Sequence, residues 1–346
     1  LIRRGVPFDK KNIFGLAPLH IAAMNGNNRV VKFFVQKGLD INARTDDGRT
    51  AYNLACEAQK NETAEYLRSV GTDQGPQRFP VLTGDYMGQP KPGKRAIPFT
   101  PAIIDYQTPF HSTMVLTLDG NEIFWSKFAG IYSSKRNDGR WAKPEKIMDG
   151  DIPFISPDGK KLYFIAFKKT NGETNPIICV KEKIGQGWTE PKELPDIINS
   201  IPNIHWQVSV DRKRNLYFGA EPNGRGYIQI YCSEFINGEY RKPYIIGKLK
   251  DVNAHSPYVA PDGSYLIISD QAPSPHLAIL FRKKDGTWTA RINLDRYIGK
   301  GGVCPSVTHD GRYLFFLSSL DAKAVPFWAD ASFIENLRKE ALKEDK

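Results

Sequence analysis

Six histidines occur in the chain, and three of them keep a common distance from a common landmark. His111, His205 and His255 stand six to eight residues before the turn aspartates Asp119, Asp211 and Asp262. Asp151 holds the same offset before Asp158, and Val303-Cys304 before Asp310. Imidazoles and a carboxylate brought together can bind a divalent transition metal, with His111, His205 and His255 as ligands, or an anionic ligand. Small polar residues that merely face water explain the same pattern, and the residues alone leave both readings open. No Gly-x-Ser-x-Gly elbow, His-Glu-x-x-His helix, phosphate-cradling loop or Gly-x-Gly-x-x-Gly turn is present, so the catalytic residues are unknown.

The landmark itself is a turn. Ser156-Pro157-Asp158-Gly159 precedes Leu162-Tyr163-Phe164, and Asp-Gly between apolar runs is a strong hairpin signal. Weaker copies stand at Asp119-Gly120, Asp211-Arg212, Asp262-Gly263 and Asp310-Gly311, at steps of 39, 53, 51 and 48 residues. Strand-rich repeats of that length predict propeller blades. A second mark, a glycine and then an aromatic, follows at Gly139/Trp141, Gly187/Trp188, Gly238/Tyr240 and Gly286/Trp288. It is expected at the junction of each blade's third and fourth strands, with the ring packed between blades. The fifth copy lacks this mark and runs into a charged helix over 333–343, so 97–104 is expected to supply its outer strand and close the ring. Five blades result; six require residues 76–104 to hold a blade with neither mark. Equivalent blade positions are related by the ring axis, so His111, Asp151, His205 and His255 should surround one mouth of a central channel. The turn aspartates are expected to bond their own backbone.

A different period governs the start. Gly5, Gly38 and Gly71 are 33 residues apart, as are Gly15 and Gly48. Gly15-Leu-Ala-Pro18-Leu19-His20-Ile-Ala22-Ala23, Asn25-Gly26-Asn27 and Gly38-Leu-Asp40-Ile-Asn42-Ala43 resemble an ankyrin repeat. A second repeat follows, in which Thr50-Ala51-Tyr52-Asn53 replaces the family's Thr-Pro-Leu-His, and Leu1-Ile2-Arg3-Arg4-Gly5 reads as the tail of an earlier one. The resemblance implies that His20 ties neighbouring loops together, and that a protein partner is held. A stretch rich in Gly, Pro and Gln then marks a boundary. The expected organisation is ankyrin repeats over 1–74, a linker over 75–96, and a propeller with a C-terminal helix over 97–346: a multidomain chain, α followed by all-β.

Phe79-Pro80-Val81-Leu82, Tyr86-x-Gly88-Gln89-x-x-Pro92-Gly93 and Phe99-Thr-Pro101, together with the repeated Pro-Asp-Gly turns, resemble bacterial TolB-like, WD40-like propeller proteins. That resemblance implies an exported, periplasmic or cell-surface protein whose signal segment would lie upstream of Leu1. The formal charge of +10 suits an acidic partner or a solubilising surface, with no basic-aromatic stripe to suggest nucleic acid. Nothing approaches the roughly 18 apolar residues of a membrane span. Four cysteines far apart form no CxxC pair, which excludes zinc-finger and thioredoxin chemistry. The expected function is non-catalytic binding or scaffolding of protein or cell-envelope partners. The alternative is a metal-dependent lyase or hydrolase of acidic polysaccharide, by likeness to oligogalacturonate lyases with histidine-rich channel sites.

Overall fold

The computed structural model describes residues 9–76, 79–104, 108–128, 130–170, 172–185, 187–221, 226–320 and 322–343, without the side chains of Thr170, His205 and Trp206. The fragment at residues 1–5 lies outside them. Contacts divide the chain into two units: Leu1–Gln89 with Thr100–Gln107 and Asp138–Lys143, and Pro90–Phe99 with Thr108–Asn137 and Pro144–Lys346.

In the first unit, α1 (Pro18–Met24), α2 (Asn28–Gln36), α3 (Ala51–Glu57) and α4 (Asn61–Ser69) form two helical pairs. Pro18 opens α1, where its missing N–H leaves no gap in the helix. Small residues allow the helices to approach: Ala22, Ala23, Ala51, Ala55 and Ala64 share one core with Leu19, Val31 and Leu67. His20 ties loops together as the resemblance implied. Its Nδ1 accepts from Ala17 N at 3.0 Å and its Nε2 donates to Ala43 O at 2.8 Å. Asn53, 33 residues on, makes the equivalent pair of bonds: Oδ1 accepts from Thr50 N at 2.9 Å and Nδ2 donates to Gly75 O at 3.0 Å. An amide therefore reproduces the imidazole's one acceptor and one donor.

The second unit is a five-bladed β-propeller. Blade 1 pairs Val115–Leu116, Glu122–Lys127, Gly130–Asn137 and Glu145–Asp149 in sequence. Blade 2 consists of Asp151–Ile155, Lys161–Thr170, Glu173–Ile184 and Lys192–Glu193. Blade 3 consists of Ile204–Val210, Leu216–Ala220, Gln229–Ser233 and Tyr244–Ile245. Blade 4 consists of Ala254–Val259, Tyr265–Asp270, His276–Phe281 and Ile292–Asn293. In blade 5, Val303–Val307, Tyr313–Leu320 and Lys323–Asp330 are joined by Ile97–Pro98, which sets Ile97 opposite Trp328 and Pro98 opposite Phe327. All pairings are antiparallel. Leu216–Ala220 and Tyr313–Leu317 in the second strands are buried on both faces, which is why they read as unbroken apolar runs.

The aromatic marks fall between third and fourth strands, and two of the tryptophans bridge blades. Trp188 meets Phe124 of blade 1 edge-on at 6.3 Å, and Trp288 packs into a cluster with Tyr217 and Ile230 of blade 3. Trp141 belongs to the first unit, where its indole N–H donates to Gly84 O at 2.8 Å.

The turns behave as expected in four copies. Asp119, Asp158, Asp262 and Asp310 each accept the backbone N–H two residues on, and Gly120, Gly159, Gly263 and Gly311 adopt φ between 64° and 72°. The third copy is offset. Asp211 N donates to Asn215 O and Arg214 N to Asp211 O, so Asp211 holds the place of Ser156, one step before the turn. The turn is one residue shorter, and Arg214 takes the left-handed position (φ 69°) that glycine takes elsewhere.

Candidate functional site at the channel mouth

The innermost strands of blades 2 to 5 share an irregularity. Their pairing shifts register between Asp151 and Phe154, His205 and Val208, His255 and Tyr258, and Val303 and Ser306. Ile152, Ser256 and Cys304 sit in these bulges at φ of 48°, 52° and 55°, each just before a proline. A β-branched or bulky residue is seldom found at positive φ, and the following proline restricts the backbone further. The bulge re-aims the preceding side chain, and Asp151 and His255 are both buried there.

Hydrogen bonds from the neighbouring blade hold the bulges. Ser126 Oγ of blade 1 accepts from Ile152 N at 3.1 Å, and Ser269 Oγ of blade 4 accepts from Cys304 N at 3.1 Å. Both serines lie seven residues after their turn aspartate, a spacing that the histidine pattern did not bring out.

His111 and Asp151 come together. Nδ1 of His111 donates to Oδ2 of Asp151 at 2.9 Å, while Oδ1 accepts from Ser126 Oγ and, at 2.9 Å, from Ile152 N. Asp151 is buried and His111 is half-exposed. The hydrogen bond to Asp151 raises the imidazole's pKa against the opposing effect of partial burial. The pair borders a pocket of about 370 Å³, walled by Ile152, Ile165, Phe167, Pro176 and Ile204.

His255 is engaged differently. Gln271 Nε2 donates to its Nε2 at 2.8 Å, and its Nδ1 donates to Ser256 Oγ at 2.8 Å. Ser256 Oγ lies 3.5 Å from Cys304 Sγ, whose S–H points to His111 O at 3.8 Å. Burial pushes the Cys304 thiol up to about 12, so it is not a nucleophile at neutral pH. His205 is the second residue of its strand, Ile204–Val210, and its side chain lies outside the described residues. Among the described residues no group of three or more His, Cys, Asp or Glu side chains is arranged to hold a metal ion.

Deeper in, the channel is filled. Gln207 Nε2 donates to Pro305 O at 2.6 Å and to Pro257 O at 3.4 Å. Phe154 and Tyr258 meet edge-on at 6.4 Å, and Tyr258 donates to Val307 O at 3.2 Å. A void of about 20 Å³ remains beside them, room for a single water.

Residues 1–77 match the family model for ankyrin repeats, in three copies. Within this region the chain is 39% identical over 71 residues to protein phosphatase 1 regulatory subunit 27 of Mus musculus, covering 20% of this chain and 46% of that protein. The chain thus spans less than half the length of this curated relative. Among solved structures it is similar to TolB from Acinetobacter baumannii, at 16% identity and a TM-score of 0.44, over 82% of this chain and 74% of that one. A putative TolB from Agrobacterium tumefaciens gives 17% identity and a TM-score of 0.43 over 64% and 73%. No helix among the described residues is long and apolar enough to cross a membrane. The N-terminal region of this chain is therefore an array of ankyrin repeats, joined in sequence to a five-bladed propeller.

Proposed function

We propose that the chain is a non-catalytic binding protein of two modules, the ankyrin repeats holding a protein and the propeller mouth holding a protein or cell-envelope partner. The observation that carries this reading is the state of Asp151. Both of its oxygens are committed to the scaffold, to Ser126, Ile152 and His111, and His255 is likewise held between Gln271 and Ser256. Groups spent in this way fix a surface. Ankyrin arrays present helix and loop surfaces to other proteins, and the phosphatase relative is by its name a regulatory subunit. By the resemblance of its turns, the protein belongs in the periplasm or at the surface of a bacterium.

A second reading, a metal-dependent lyase or hydrolase of acidic polysaccharide using His111, His205 and His255, is favoured by one feature: the half-exposed His111 imidazole bordering an open pocket. Affinity capture with the full chain and with Ile21→Asp, at an exposed apolar position of α1, separates the two readings. A captured protein lost with the variant supports binding. Turnover of polygalacturonate by the purified chain, abolished in His111→Ala, overturns it.

A further inference from the structure

At the opposite ends of the inner strands from His111, a pocket of about 310 Å³ opens between blades 2 and 3. Its walls include Asp158, Lys161 and Tyr163 from blade 2, and Asp211, Arg212 and Arg214 from blade 3. We propose that this pocket is a binding site for a small oxyanion, a sulfate, phosphate or carboxylate group, held by the guanidinium groups of Arg212 and Arg214.

Arg214 is the anchor of the inference. Glycine occupies the left-handed position in the other four turns, whereas here an arginine bears it at φ 69°. Glycine takes that conformation freely and arginine does not, so the fold alone favours glycine at this position. Strain of this kind gathers where a side chain is needed. The guanidinium lies 3.7 Å from the centre of the Phe235 ring. Stacking on an aromatic face leaves the in-plane N–H donors directed outward, in the fork that matches an oxyanion.

The second observation is independent of the backbone. Among the described residues, neither Arg212 nor Arg214 directs its side chain into a hydrogen bond or an ion pair. The two carboxylates in the walls accept hydrogen bonds from their own turns. Asp158 Oδ1 accepts from Ser156 Oγ at 2.5 Å and Lys160 N at 3.0 Å. Asp211 accepts from Asn215 N at 3.0 Å and Asn215 Nδ2 at 2.8 Å. Lys161 is paired with Glu182, so the N–H donors of the two arginines are what the pocket offers a ligand, and the wall carboxylates balance their charge. With two guanidinium groups beside two carboxylates, the site suits a single oxyanion group better than a polyanion running through it.

The test is calorimetric titration of the full chain at low ionic strength with sodium sulfate, inorganic phosphate and galacturonate, together with thermal unfolding. Saturable binding of at least one probe at about one equivalent is expected, weakening as salt rises. Arg214→Gly should keep the thermal midpoint within about 3 °C, because glycine takes the left-handed φ without strain, yet lose roughly tenfold or more in affinity. Arg212→Gln leaves the turn untouched and should weaken binding as well. Tighter sulfate or phosphate identifies a tetrahedral group as the ligand; tighter galacturonate identifies an acidic sugar. The proposal is overturned if no probe binds saturably, if both variants bind as well as the wild type, or if Arg214→Gly only unfolds earlier while Arg212→Gln binds normally.

Discussion

Asp151 of blade 2 holds His111 of blade 1 by a 2.9 Å hydrogen bond, so that this polar pair is also a joint between blades. Because the bond raises the imidazole's pKa above its ordinary value of about 6.5, its contribution is complete below that value and is lost as pH rises through the raised one. Wild type should thus lose stability relative to His111→Gln on going from pH 6 towards pH 8. Denaturation midpoints measured across that range check this, and parallel curves would contradict it. Asp151→Asn, which leaves Ser126 and Ile152 competing for a weaker acceptor, should cost about 2–3 kcal/mol in urea unfolding.

The strand at Ile97–Pro98 is followed by Phe99, which is fully buried and meets the rings of Phe315 and Trp328 edge-on at 5.2 and 5.3 Å. If this strand closes the ring, Phe99→Ala should cost about 3–5 kcal/mol and expose the edge of Lys323–Asp330. Chemical denaturation together with light scattering provides the check. A stable, monomeric variant would show that the ring holds without the strand.

Thiol reactivity should divide sharply. Cys56 is exposed, whereas Cys179 and Cys232 are buried with thiols pushed up to about 11 and Cys304 to about 12. A thiol-reactive disulfide reagent should label Cys56 in the native chain and the other three only in denaturant. Rapid labelling of Cys304 in the native state would mean that the bulge holding it opens readily.

In the ankyrin region, Asn53→Ala removes both bonds by which Asn53 repeats the role of His20, at a cost of about 1–2 kcal/mol. Asn53→His should recover most of that loss. Faster hydrogen exchange at the Thr50 amide in Asn53→Ala, reversed in Asn53→His, is the expected readout; equal exchange in both would assign the bonds no weight.

Much of this architecture was readable from spacing. The turn aspartates counted the blades, because a hairpin turn needs the same few residue types wherever it recurs, and the shared offset of His111 and Asp151 marks two equivalent positions of neighbouring blades, which meet in a hydrogen bond. Asp211 misled by its type. A turn one residue shorter moved it out of register, and left-handed backbone is not visible when arginine fills the position. Ser126 and Ser269 carry no mark in the sequence, because a serine at a strand end looks ordinary without the facing bulge. Nor could spacing show that Gln207, Phe154 and Tyr258 fill the channel, since that depends on side chains meeting across the ring.

The most direct test of a non-catalytic mouth is metal content by plasma mass spectrometry, on the wild-type chain and on the triple variant His111→Ala/His205→Ala/His255→Ala. The expected result is no stoichiometric transition metal in either. About one equivalent in the wild type, lost in the variant, would contradict the binding reading and make the mouth a metal centre.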